Sequence, residues 1–190
     1  MSIDESRRPT VYNPVARLLH WGLFLLIAAE FAVAWLMPDI HRDTRPEGLV
    51  ALHIGLGTLI LSLMVLRLVW RVVGGAAPVP AGHGWQRSAA RGVHDLLYLG
   101  FLVLPLLGWA NASARGWTVH WAGLATLPAL AAQGAAWARE AGDVHQVVAY
   151  GLLGLIGLHI LAALQHQILL RDGLLHRMWP SNRRNGASEN

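Results

Sequence analysis

The 190-residue chain has no cysteine and no lysine, and only 14% of its residues are charged. The missing thiols exclude disulfides, iron–sulfur ligation, thiolate zinc sites and covalent c-type haem attachment within the chain. The low charge argues against a soluble domain, which carries about 25% charged residues. The shortfall is concentrated in long apolar blocks, with 54% hydrophobic residues and a positive mean hydropathy. Because lysine is absent, all 15 basic side chains other than histidine are arginines, and they sit at the ends of the apolar blocks and between them. That is the distribution of a membrane protein, so the pI near 10.6 does not point to nucleic acid. No linker divides the chain and no repeat recurs at a fixed period. One membrane domain is expected over residues 1–180, followed by a disordered polar tail at 181–190.

Four apolar blocks predict transmembrane helices at about 16–37, 49–73, 92–110 and 144–170. Each reaches the ~20 residues needed to cross ~30 Å of hydrocarbon. Four segments cannot close a barrel, so the fold class is all-α, an integral membrane four-helix bundle. The first block is too long for a removable signal peptide and lacks a small-residue cleavage site, so it is expected to remain as a helix. Eleven arginines fall before the first span, around the second loop or after the fourth span, against four in the first and third loops. The bias predicts cytoplasmic N- and C-termini. Trp21, Trp35, Trp70, Trp109 and Trp179 lie near span boundaries and read as interfacial anchors. Residues 76–88 read as irregular. Trp117, Trp121, Leu124 and Leu127 suggest a short amphipathic helix on the outer surface.

The informative feature is ten histidines, six of them within or beside the spans: His20, His53, His94, His145, His159 and His166. Ionisable groups inside a membrane are costly and mark function by default. His145 and His159 are fourteen residues apart, ~40° short of four full helical turns, so they project from nearly one face with ~21 Å of rise between them. His166 continues that stripe. Opposite entry directions bring His20 on the first span level with His159, and His53 on the second level with His145. Gly55 and Gly57 follow His53 and would let a flat ligand approach the backbone.

Two facing imidazoles in an apolar bundle suit a b-type haem, whose iron takes one nitrogen from each side of the porphyrin. Zinc would want three or four ligands, and no third is evident at either depth. A lone membrane histidine is more often a packing or hydrogen-bonding residue, but two depth-matched pairs on three helices are hard to obtain by chance. His94 has no evident partner and reads as a hydrogen-bonding residue; His41, His83, His120 and His176 read as ordinary solvated side chains.

These residues resemble the bacterial cytochrome b561 family of small di-haem membrane cytochromes. The likeness runs from Tyr12 to Pro180, through Asn13-Pro14, His20-Trp21, His53-x-Gly55-x-Gly57, Arg67 to Arg71, His94 to Tyr98, Pro105 to Trp109, Val144-His145, Gly157-Leu158-His159 and Arg171 to Pro180. The resemblance implies two haem b groups with His20/His159 as axial ligands on the cytoplasmic side and His53/His145 on the periplasmic side. It also implies location in the bacterial inner membrane and electron transfer from periplasmic superoxide to ubiquinone. His166 is then a quinone neighbour, with Arg67, Arg91 and His94 as further quinone-site candidates. Arg42, Arg45 and Arg115 are available to attract the anion. Lipid and quinone are the expected partners, with a redox partner protein or a second copy of the chain also compatible. A cytochrome b subunit relaying the electrons of a partner dehydrogenase or hydrogenase would read alike in sequence. A haem-free transporter using the histidines for protons is the remaining class. Glu30 departs from the family pattern: a carboxylate in the outer half of the first span should face a partner or water.

Overall fold

A computed structural model describes residues 11–74 and 84–179. The expected tail at 181–190 lies outside that range, as do His83 and most of the segment read as irregular; of the latter, Trp85 to Ser88 are helical. Four long helices dominate: α1 (Pro14–Leu36), α2 (Gly48–Val73), α3 (Trp85–Ala114) and α4 (Ala136–Gln165). All four are long and apolar enough to cross a membrane. Leu18, Leu25, Val147 and Leu161 stand well exposed, as lipid-facing side chains do. The chain is a four-helix, multi-pass membrane bundle, as expected from its apolar blocks. α3 and α4 each begin seven or eight residues earlier than the hydropathy suggested, because polar helical turns extend past the apolar stretch.

Local chemistry sets the helix ends. Pro14 opens α1, where its missing N–H costs nothing, and Asn13 Oδ1 accepts the Ala16 N–H at 2.8 Å. The same oxygen accepts from Trp70 Nε1, and Asn13 Nδ2 donates to the Gly74 carbonyl, so one side chain ties the start of α1 to the end of α2. Tyr12 N donates to Arg177 O, bringing both ends of the described chain to one face of the bundle. This is called the terminal face below, and the opposite one the loop face. α4 runs into a π-helical turn, His166–Leu170, that stops at Arg171 and Gly173, both with positive φ. The indole N–H groups of Trp21, Trp70 and Trp109 donate to Met178 O, Asn13 Oδ1 and Pro128 O, so these interfacial tryptophans also pin loops to helices.

Between α3 and α4 the expected surface helix does not form. The chain instead makes a two-stranded hairpin, β1 (His120–Trp121) and β2 (Ala125–Thr126). Its turn needs positive φ at Ala122 and Gly123, and Gly116 before it is also left-handed, which a helix cannot accommodate. The helical spacing of Trp117, Trp121, Leu124 and Leu127 lost to these turns. The hairpin docks on α2: Thr58 Oγ1 accepts the Ala122 N–H at 3.0 Å, and Trp121 Nε1 donates to Ser62 Oγ at 2.8 Å. Gly55 lies beside the hairpin tip, where a Cβ would stand 4.0 Å from Gly123 N, an ordinary contact.

Close backbone packing joins α1 to α2, α2 to α3 and α3 to α4, whereas α4 does not close tightly on α1 or α2. A buried cluster of Leu23, Ile60, Met64, Phe101 and Leu152 fills the middle of the bundle. Leu152 is seven residues from both His145 and His159, so this apolar layer lies between the two histidine levels.

Candidate functional site

The opening between α4 and its neighbours α1 and α2 is spanned by histidines. At the loop-face level, the ring centres of His53 on α2 and His145 on α4 are 6.0 Å apart with planes at 78°. At the terminal-face level, His20 on α1 and His159 on α4 are 6.2 Å apart at 74°. A ligating imidazole nitrogen lies about 2 Å from its metal and about 1 Å from its own ring centre, so two rings on opposite sides of one iron stand about 6 Å apart. Both pairs meet that spacing. Rotation about each metal–nitrogen bond leaves the interplanar angle free, so near-perpendicular rings are compatible.

Around the loop-face pair, His145 Nδ1 faces the Leu104 carbonyl at 2.9 Å. That bond fixes the tautomer with Nε2 free. Gly108, one turn along α3, makes the approach possible: a Cβ there would stand 3.1 Å from the His145 ring. Glu30 Oε1 lies 2.8 Å from His53 Nδ1. The atypical carboxylate thus has a partner on the neighbouring helix. A cavity of about 530 Å3 opens here, lined by Glu30, His53, Gly57, Gly108 and His145, with Arg115 and Arg139 farther out. That is within the roughly 300–1,000 Å3 of small-molecule and cofactor pockets.

Around the terminal-face pair, the His94 ring comes within 5.2 Å of the His159 ring. At 5.2 Å it is too close for axial pairing, and its Nδ1 faces the Ala90 carbonyl, which fits the expected hydrogen-bonding role. Arg67 is half-buried, donates to the Tyr98 hydroxyl at 3.0 Å and to Ala16 O, and acts electrostatically on both His20 and His159. Arg71 stacks over the Tyr98 ring at 5.1 Å. His166 does not join this group; its Nδ1 contacts Asp172 Oδ2 at 2.5 Å. Arg91 is exposed on α3. Of the four quinone candidates, the structure therefore places Arg67 and His94 beside the pair, and His166 in a separate His–Asp couple. His41, His120 and His176 are exposed, as solvated histidines should be.

Asp172 lies outside the membrane-spanning segments. Slight desolvation works against its charge. Hydrogen bonds from His166 and the Leu174 N–H, with the charges of His166 and Arg177, still hold its carboxyl below the usual range. Sequence reasoning missed Asp172, the Leu104 carbonyl, Gly108, and the hydroxyls of Thr58 and Ser62 that seat the hairpin. The last two had a readable signal: two hydroxyls four residues apart on an otherwise apolar span.

The family described as prokaryotic cytochrome b561 matches residues 11–181 of the chain. The chain is 28% identical over 172 residues to cytochrome b561 homolog 2 of Escherichia coli (strain K12), covering 90% of this chain and 92% of that protein. It is 30% identical over 166 residues to a protein of Yersinia pestis named probable superoxide oxidase CybB, covering 87% and 93%. It is 29% identical over 172 residues to cytochrome b562 of Cereibacter sphaeroides, covering 88% and 94%.

Proposed function

The chain belongs to the prokaryotic cytochrome b561 family of electron-transferring membrane b-type cytochromes, and from that premise we propose that it oxidises superoxide at its loop face and reduces ubiquinone near its terminal face. Two facing histidine pairs about 6 Å across, stacked ~21 Å apart along α4, carry this reading. His53 and His145 would hold one haem b, and His20 and His159 a second. The bound groups supply one-electron carriers at two depths of the membrane.

The chain's own residues do the rest. Gly108 and the Leu104 carbonyl seat His145, and an apolar cluster drawn from the four helices separates the two histidine levels. At the loop face Arg115 is steadied by Asn111 Oδ1, by His41 O and by the Trp117 ring, which fixes a positive group at the cavity mouth where an anion would enter. At the terminal face Arg67 and Arg71 provide cations for haem carboxylates or quinone oxygens. The His166–Asp172 couple at the same face would serve as a proton source for quinone reduction. The reaction balances as two superoxide, one quinone and two protons giving two oxygen and one quinol.

The arginine bias supports termini in the cytoplasm and a location in the bacterial inner membrane, which puts the loop face in the periplasm. The name of the Yersinia pestis relative supports superoxide as the donor. The test is stopped-flow spectroscopy of the purified, haem-containing protein. Superoxide should reduce it at a rate that superoxide dismutase abolishes, and ubiquinone should reoxidise it. No superoxide-dependent reduction would reject the donor and favour relay from a partner dehydrogenase or hydrogenase.

A further inference from the structure

Glu30 is a carboxyl group flanked by apolar residues in the loop-face half of a membrane-spanning helix, and the reaction above does not use it. Such a placement is unfavourable unless the group is matched. Its Oε1 is 2.8 Å from His53 Nδ1, which is hydrogen-bond length. Neither that nitrogen nor Glu30 Oε2 makes an aligned hydrogen bond among the described residues, so the pair stands in the structure as a close polar contact. The two groups therefore answer only each other. Gly57, one turn beyond His53, leaves room for the carboxylate: a Cβ there would stand 3.6 Å from Oε1, an ordinary contact, and a longer side chain would crowd it.

We propose that Glu30 is a positioning residue for His53: its carboxylate accepts the Nδ1–H, holds the ring with Nε2 free to ligate, and lowers the reduction potential of the centre held there. The proposal rests on the assignment of His53 as an axial ligand. A histidine that ligates a metal commonly gives its other N–H to a carboxylate or carbonyl, which fixes its orientation and raises its basicity as a donor. A more basic axial donor favours the oxidised iron. The opposite ligand supplies the contrast, because His145 Nδ1 meets a neutral carbonyl, that of Leu104. One loop-face histidine is thus strengthened by a carboxylate and the other only oriented.

The experiment is an optical redox titration of purified, haem-containing wild type, Glu30→Gln, Glu30→Asp and Glu30→Leu, with low-temperature EPR of the oxidised proteins. Two waves are expected in the wild type. In Glu30→Gln and Glu30→Leu one wave moves to higher potential, the other stays, and the EPR anisotropy of the same centre changes. Glu30→Leu also weakens haem binding at that centre, by about 10–100-fold. Glu30→Asp separates bonding from charge: it keeps the carboxylate but is one methylene too short to reach Nδ1, so the same wave moves upward. An Asp variant indistinguishable from wild type would reduce the effect to bulk electrostatics and overturn the proposal. So would a Gln variant in which neither wave moves or both move together. If His53→Ala retains both waves, the axial assignment itself is wrong, an outcome the Glu30 variants do not mimic.

Discussion

At the loop face His53 and His145 each turn a ring nitrogen to an oxygen, the Glu30 carboxylate and the Leu104 carbonyl, whereas at the terminal face His20 and His159 are met by a third imidazole and a guanidinium. The two pairs have nearly equal ring separations, so spacing alone would make them equivalent. Their surroundings do not. With the two haems proposed above, a carboxylate beside one iron would favour its oxidised form, and a guanidinium beside the other would favour its reduced form. That difference would let electrons fall from the loop face to the terminal face, the direction proposed for the reaction.

The largest effect that would break this comparison is loss of a ligand. His53→Ala or His145→Ala should halve the haem-to-protein ratio and remove the lower-potential wave. His20→Ala or His159→Ala should halve it and remove the higher one. His94→Ala should leave the ratio at two, because its ring is too near His159 to pair across an iron. A ratio of one in His94→Ala would show that the third imidazole, and not His20, completes the terminal-face site.

An intermediate effect should come from crowding one pair only. Gly108→Val places a branched side chain where even a Cβ would stand 3.1 Å from the His145 ring. Off-rotamer shifts from overpacking cost about 1–3 kcal/mol. The loop-face wave should broaden or vanish while the terminal-face wave persists. Gly154→Ala, with nothing within 4 Å of the new Cβ, is the matched control on α4.

The smallest effect concerns Asp172. Its carboxyl is held below the ordinary carboxylate range, so its stabilising contribution is present above the unfolded value, about 4, and is lost as pH falls through the lower folded value. Asp172→Asn should be slightly less stable than wild type at neutral pH, and the difference should close in acid. The side chain is 37% exposed, so the change is small. Thermal unfolding followed by circular dichroism in detergent between pH 3 and 7 would read it, and a difference that widened in acid would contradict the sign.

The helices and the levels of the histidines were legible in the chain because both depend on local repeat and on bilayer thickness. A rise of 1.5 Å per residue puts His145 and His159 at two depths whatever the packing, and alternate entry directions bring His53 and His20 to match them. Glu30 could be picked out as a misplaced carboxylate but not paired, since its partner depends on how α1 is rotated about its own axis against α2. Leu104 was unreadable for a different reason: a backbone carbonyl has no residue identity to find. The hairpin at 120–126 was misread because apolar spacing of three and four favours a helix, while the positive φ values at Ala122 and Gly123 that exclude one appear only in the folded turn.

The sequence by itself determined that four helices cross a membrane, that their ends carry the arginines, and that four histidines come level in two pairs, since each follows from hydropathy and helical pitch counted along one chain. Tertiary structure alone decided that one pair faces a carboxylate and the other a guanidinium, that His94 crowds His159, and that the third loop folds onto α2. Those outcomes depend on helix rotation and on close approach at glycines, and neither is encoded in any single span.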